Sequence, residues 1–438
     1  MKKIIKVMAA CALAGVMATG FAACGGGGGG GEESTVDAKG NTIVKIMFHV
    51  DSKSAEGLAY KRRIDAFNAK YTAADSEIKI KASATFVART GGASAYETSL
   101  SNMQREGTLP DIITFDAPKC AKYASEGLLY DITDLIPAEE KADFITLNEY
   151  NNKLYGLPIQ ESSAGFYYNK NLFNQAGITQ ADIGNWTYTN FTTVCSKLRA
   201  ANITPVDMRL DATKDETAPY LLYPFIYASG GDYVSADGFT STGHLNSSGS
   251  VRGFQFLKDL VSNNYTSYSI GATDFFDGKV GMYLSSGWTI PDLDNKYPKI
   301  FPDRDSWGLL PYPSDVSAAS ATGSWCYGIT DNGKDTKEAA AELLKWMSSA
   351  ESSDVITAAT GMIPARYSVN KNYPAGSPEY VLYNQLQTTG KARPVTVGYS
   401  EFSTTFNDII AALGGTANLQ SLLNTKATSL DSQLRELR

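Results

Sequence analysis

The side chains that most often carry metal or nucleophilic chemistry are scarce and scattered in this chain. Its only histidines, His49 and His244, stand far apart, and its five cysteines contain no C-x-x-C pair. Zinc centres built from His/Cys clusters and most histidine-based catalysis lose their basis, so no metal and no cofactor is expected. No G-x-S-x-G, H-E-x-x-H or P-loop run is present. What the chain offers instead is carboxylates and rings: 46 Asp plus Glu, 25 Tyr, 18 Phe and 5 Trp. A saccharide presents hydroxyls around small C–H patches, so aromatic faces and planar polar groups suit it. Asp116 ends the apolar run Pro110–Phe115, at the strand end where open α/β sheets bind ligands, with turn capping as its alternative role. Asp51 and His49 close an earlier strand at the same edge, and His49 is expected to be a surface residue there.

The elements that must position these residues alternate. Thr42–Phe48 reads as a strand, followed by a helix with Tyr60, Ile64, Phe67 and Tyr71 on one face, then a short strand at Glu77–Ile80. A helix over 96–106 leads to the buried strand before Asp116. Further on, 165–168 and 203–208 are strand-like, and 186–199 and 251–261 helical. Asp335 and Glu338 cap a helix through Leu343, Leu344 and Met347, while Phe406, Ile409, Ile410 and Leu413 form one that Gly414-Gly415 ends. Leu419 to Leu437 supplies a last amphipathic helix. The alternation argues α/β, and 438 residues with 43% hydrophobic content allow two or more domains.

The N-terminus reads as an address. Lys2, Lys3 and Lys6 precede the small apolar run Val7–Ala23, giving an export signal over 1–23. Phe21-Ala22-Ala23-Cys24 resembles the lipobox of bacterial lipoproteins, with Phe where Leu is usual. That resemblance implies lipidation of Cys24, palmitate included, and anchoring at the extracytoplasmic face of the cell membrane. Gly25–Gly31 and the polar residues after them form a flexible tether over 24–40, with a reach on the order of 20 Å. The signal's three lysines aside, the formal charge of −7 becomes −10, which disfavours nucleic acid. Cys120, Cys195 and Cys326 remain, as three buried thiols or with one disulfide among them.

Several blocks occur in a fixed order: Pro110-Asp111-Ile112-Ile113, Glu126-Gly127-Leu128-Leu129, Tyr155-Gly156-Leu157-Pro158, Tyr167-Tyr168-Asn169-Lys170, Gly278-Lys279-Val280-Gly281-Met282, Gly287-Trp288, Gly308-Leu309-Leu310-Pro311 and Gly361-Met362-Ile363-Pro364. In this series the chain resembles extracellular solute-binding protein family 1, the maltose-binding-protein-like group that serves ABC importers of sugars. The resemblance implies a type II periplasmic-binding-protein-like fold, two α/β lobes joined by a multi-crossing hinge with a ligand cleft between them. One lobe is expected over 41–160 plus 326–366 and the other over 161–325 plus 367–438, with crossings near Gln160–Ser163 and Ala321–Ile329.

The same resemblance makes Trp288 an aromatic platform, sets Tyr220 in a sugar-stacking loop, and places Gln160 and Glu161 at the hinge. Glu401 and Phe402 open a helix facing the cleft. Ser403 stands where the maltose-binding protein has Trp, so an unchanged maltose-type site is not expected. The implied function is a monomeric, non-catalytic receptor that captures a carbohydrate by closure and hands it to an ABC permease. Two readings compete: a secreted carbohydrate-active hydrolase, for which 46 carboxylates leave room, and a binder of the same fold for a peptide, polyamine or sugar phosphate.

Overall fold

In the computed structural model Val44, Ile46 and Phe48 lie on one buried face of a strand over Thr42–Phe48, and Met47 is buried in a separate cluster. The structure describes residues 35–438 other than 90–93, 212–214 and 370. The signal, Cys24 and the glycine run therefore lie outside the described residues. The expected tether does not extend to residue 40. From Thr35 the chain turns back on the first strand, with the Ile43 N–H donating to the Thr35 carbonyl at 2.8 Å and Asp37 bracing Asn41.

In chain order the strands are β1 (Thr42–Phe48), β2 (Ile80–Phe86), β3 (Ile112–Asp116), β4 (Asn148–Tyr150), β5 (Lys153–Pro158), β6 (Ala164–Asn169), β7 (Thr204–Asp207), β8 (Val280–Ser286), β9 (Trp307–Leu310), β10 (Ser320–Ala321), β11 (Trp325–Ile329) and β12 (Gly390–Lys391). Six build one sheet in the order β2-β1-β3-β11-β5-β4, and four build a second in the order β7-β8-β6-β9. In the first sheet β2, β1 and β3 run parallel, and β11 returns antiparallel between β3 and β5. The expected strand at Glu77–Ile80 begins only at Ile80, because Ile78 faces solvent and the inward positions of β2 are Ile80 and Ala82.

Each sheet has its own core. Val44, Ile46 and Phe48 pack against Tyr60, Ile64 and Phe67 of the helix Ala55–Tyr71 and against Leu343, Leu344 and Met347 of Lys337–Met347. Phe166, Met282 and Leu284 of the second sheet pack with Phe191, Val194 and Phe254 and with the leucines of the last helix, Leu419–Arg435. Burial of this kind is worth about 1.5–3 kcal/mol per large apolar side chain, which makes each half a stable wall for whatever lies between them. The chain leaves the first core after Ile159 and enters the second at Ala164, then returns between Ala321 and Tyr327. A third passage follows Ala365, after which the helices Pro378–Thr388, Tyr399–Ala412 and Leu419–Arg435 serve the second half. Cys120, Cys195 and Cys326 are free and buried. Among the described residues no helix is long and apolar enough to cross a membrane.

Candidate functional site

A cleft of about 830 Å3 opens between the two sheets. On one side, β1 delivers His49 and Asp51, β3 delivers Asp116, and β11 begins with Trp325. His49 is buried in this wall. Its ring stacks on Trp325 with centroids 3.6 Å apart and planes 4° from parallel, and its Nδ1 lies 2.9 Å from the Thr114 hydroxyl. The surface role expected for His49 is thus replaced by a structural one, the ring backing an aromatic face. Burial, with Arg89 nearby, pushes the imidazole well below its ordinary pKa, so it stays neutral at pH 7. Arg89 lies over the Trp325 ring at 4.8 Å.

The opposite wall is built from the short turn Gly287–Thr289 after β8 and the helix Thr217–Ala228. Trp288 stands 43% exposed, the least covered tryptophan at the site, with Tyr220 at 6.0 Å. Gly287 permits this placement: a Cβ there would sit 2.4 Å from the Gly361 carbonyl oxygen, so the turn packs backbone to backbone on the chain after helix Ala350–Thr360. Tyr220 lies on a helix, not the expected loop, and its hydroxyl is 2.7 Å from Ser162 Oγ at the first crossing.

The floor joins the halves electrostatically. Arg393 is buried, and its guanidinium donates to both oxygens of Asp116 at 2.7 and 2.8 Å, a bidentate pair. The same group donates to Glu216 at 3.1 Å and to the Tyr399 hydroxyl at 3.2 Å. Tyr399 and Ser403 each donate to Glu216 at 2.7 Å. Burial alone would lower the arginine's pKa, but Asp116, Tyr399 and Glu216 together raise it well above its usual value. Asp116 comes from the first sheet and the others from the second half, so the network is a tie across the cleft floor.

Sequence comparison decides what kind of molecule carries this cleft. The family model for bacterial extracellular solute-binding proteins matches residues 63–386. The chain belongs to that family. A binding protein of Brucella abortus (strain 2308) is 23% identical over 348 residues, covering 75% of this chain and 81% of its relative. Among solved structures, the cyclic alpha-maltosyl-1,6-maltose binding protein from Arthrobacter globiformis aligns with a TM-score of 0.76 at 22% identity, over 91% of this chain and 100% of that one. The sugar-binding protein MalE from Xanthomonas citri gives 0.74 at 15% identity, over 91% and 98%. The fold is accordingly the type II periplasmic-binding-protein architecture, two α/β lobes about a cleft.

Within this solute-binding protein, Asp51, Asp116, Gln160, Tyr220 and Trp288 line the cleft together. Gln160 accepts a hydrogen bond from Thr360 at 2.9 Å, and Asp116 is occupied by Arg393. Glu161 does not reach the cleft. It is 1% exposed, faces a separate cavity of about 140 Å3 behind the crossing, and exchanges backbone hydrogen bonds with Ile363. Its carboxyl meets only the Thr146 hydroxyl among the described residues, and burial raises its pKa to about 7. Glu401 also lies outside the cleft, in the first turn of Tyr399–Ala412 near Gly398, and Phe402 is core. The groups of that helix that join the network at the cleft floor are the buried Tyr399 and Ser403, one turn apart, so the expected face was rotated. Trp325 and Arg393 were not anticipated. Trp325 falls in the expected return crossing, where an aromatic beside Gly323-Ser324 was a usable signal.

Proposed function

We propose that this protein captures a carbohydrate, of oligosaccharide size, outside the cytoplasm and delivers it to an ABC importer permease. The observation that carries the reading is the half-exposed Trp288, backed by Tyr220, in one cleft with Trp325 and the Arg89 that overlies it. Aromatic faces of this kind stack on the C–H patches of sugar rings, while Asp51 and Gln160 supply planar hydrogen-bonding groups. The volume of about 830 Å3 lies toward the upper end of small-ligand sites, roughly 300–1,000 Å3. That leaves room for more than one ring. The Arthrobacter neighbour is a cyclic maltosyl-maltose binding protein, which supports the ligand class.

In this reading the lobes 41–160 with 326–366 and 161–325 with 367–438 close about the crossings, and a ligand touching both walls favours the closed form. Cys24 holds the protein, acting as a monomer, at the membrane through its lipid. The ligand leaves chemically unchanged, since the family consists of binding proteins. A thermal-shift screen of the purified protein against mono- and oligosaccharides tests the proposal, because a ligand of the folded state must raise the midpoint. A hit should also reduce the radius of gyration in solution scattering. A screen without any stabilising saccharide would overturn the reading.

A further inference from the structure

The cleft carries a charge pattern that stacking and hydrogen bonding to a sugar do not require. Among the described residues six carboxylates and three basic side chains line it. The bases are largely committed. Arg393 is matched by Asp116 and Glu216, and Lys296 is paired with Asp292 at 2.6 Å. Arg89 is left, and it lies over Trp325. His49 is neutral, as burial requires.

Two long helices begin at the cleft, and outward-pointing N–H groups at such positions ordinarily attract an anion. Both are already supplied by this chain. Ser54 accepts from the Gly57 N–H, and Glu56 occupies the first turn of Ala55–Tyr71. Asp215 accepts from the Thr217 N–H at 2.8 Å, and Glu216 stands at the N-cap position of Thr217–Ala228 with its carboxylate turned to Arg393, Tyr399 and Ser403. Asp51 and Asp215 have no basic side chain paired with them among the described residues; Asp51 accepts the Lys53 N–H at 2.7 Å. The positions where an acidic ligand would find donors are thus filled with carboxylates, and unpaired carboxylates remain on both walls.

Building on the sugar-binding reading above, we propose that the cleft sorts saccharides by charge: it refuses uronic, aldonic and phosphorylated sugars, takes uncharged ones, and holds amine-bearing ones most tightly. An entering anion meets an excess of negative charge in a partly dehydrated space, where repulsion is stronger than in water. A primary ammonium meets Asp51 or Asp215 instead. Selectivity of this kind comes from a built-in repulsion as much as from an attraction.

The test uses the full protein and three panels of di- and trisaccharides. The uncharged panel is malto-, cello-, manno- and N-acetylchito-oligomers, the basic panel is glucosamine oligomers, and the acidic panel is oligogalacturonates, maltobionate, cellobionate and maltose phosphate. Midpoint shifts come first, then titration calorimetry at two salt concentrations. The expected result is stabilisation by uncharged and basic sugars only, with acidic forms at least about tenfold weaker than their uncharged parents. Amine-bearing hits should weaken with salt, and Asp51→Asn with Asp215→Asn should remove their advantage, read as the affinity ratio of each amine-bearing hit to its uncharged parent on the same variant, so that any change in the hydrogen bond from position 51 to the sugar cancels. An acidic sugar that binds as well as its uncharged parent, or an amine advantage unaffected by the double variant, overturns the charge proposal and leaves sugar binding standing. No stabilisation by any panel overturns sugar binding itself, and the charge proposal with it.

Discussion

Glu161 lies on the first crossing between the lobes and Asp116 beside the return crossing, paired in register with Trp325, and the two are buried in opposite ways. Asp116, on the cleft floor, has a bidentate arginine. Glu161, behind the crossing, has one threonine hydroxyl and a pKa raised to about 7 by burial. A carboxylate leaving water needs compensating charge or it takes up a proton. The front of the hinge is therefore wired by charge, and the back is close to neutral. The front can respond to a polar ligand, whereas the back supports the crossing through the paired backbone of Glu161 and Ile363.

The largest expected effect breaks the front. Arg393→Met should leave Asp116 and Glu216 without their cation and destabilise the fold by about 3–5 kcal/mol, read in urea or thermal unfolding. Adding Asp116→Asn should recover part of the loss, since the two residues are one unit. A loss below 1 kcal/mol would mean that the tie is not formed in solution.

At the back, a substitution should stabilise. Glu161 in the folded protein holds its proton up to about pH 7, while an ordinary carboxyl loses it near 4.5. The native state therefore binds more protons between those values, and this group's contribution is complete at low pH and lost as pH rises through 7. Glu161→Gln, uncharged throughout, should match the parent near pH 4 and exceed it by about 3 kcal/mol at pH 8. His49, lowered well below 6.5, contributes a slope of the other sign, lost as pH falls below that value, and it cancels in the difference between variant and parent. Ligand affinity should not change, because Glu161 lines only the rear cavity.

How much of this contrast was legible in the sequence depends on the range of the signal. The strand Thr42–Phe48 and the helix face of Tyr60, Ile64 and Phe67 follow from local periodicity, and the structure shows both. The helix Thr217–Ala228 was hidden by Pro224, which argues against a helix interior locally, though Pro219 falls in the tolerant first turn and tertiary burial of nearly every residue holds the rest. Strand β2 was displaced because alanines at its inward positions carry little hydrophobic signal. Arg393 could not be found at all. Its partners Asp116 and Glu216 are 277 and 177 positions away, and no local pattern encodes such a pairing. The family resemblance brought Glu161 to the hinge but not to a face of it, since one residue's step along an extended segment reverses the side chain.

A middle-sized effect separates binding from stability. Trp288→Ala should weaken the tightest saccharide of the screen by about 1–3 kcal/mol with little change in midpoint, because the ring is already 43% exposed. Trp325→Ala should lower the midpoint as well, since its ring is stacked on His49 and edges Tyr96. Equal midpoint losses in the two variants would refute the assignment of Trp288 as the free binding face.

The last expected effect asks how the charge at the front is shared. Ser403 donates one hydrogen bond to Glu216 Oε1, while Glu216 Oε2 keeps Tyr399 and Arg393. Ser403→Ala removes a single donor to a carboxylate and should cost about 2 kcal/mol, against about 1 for a bond between neutral groups. If the network acts as a unit, Ser403→Ala combined with Tyr399→Phe should cost more than the sum of the two single changes, because the second deletion strips a carboxylate that the first has already weakened. Strict additivity in that cycle would place Ser403 beside the tie and leave the Arg393–Asp116 pair as its only working part.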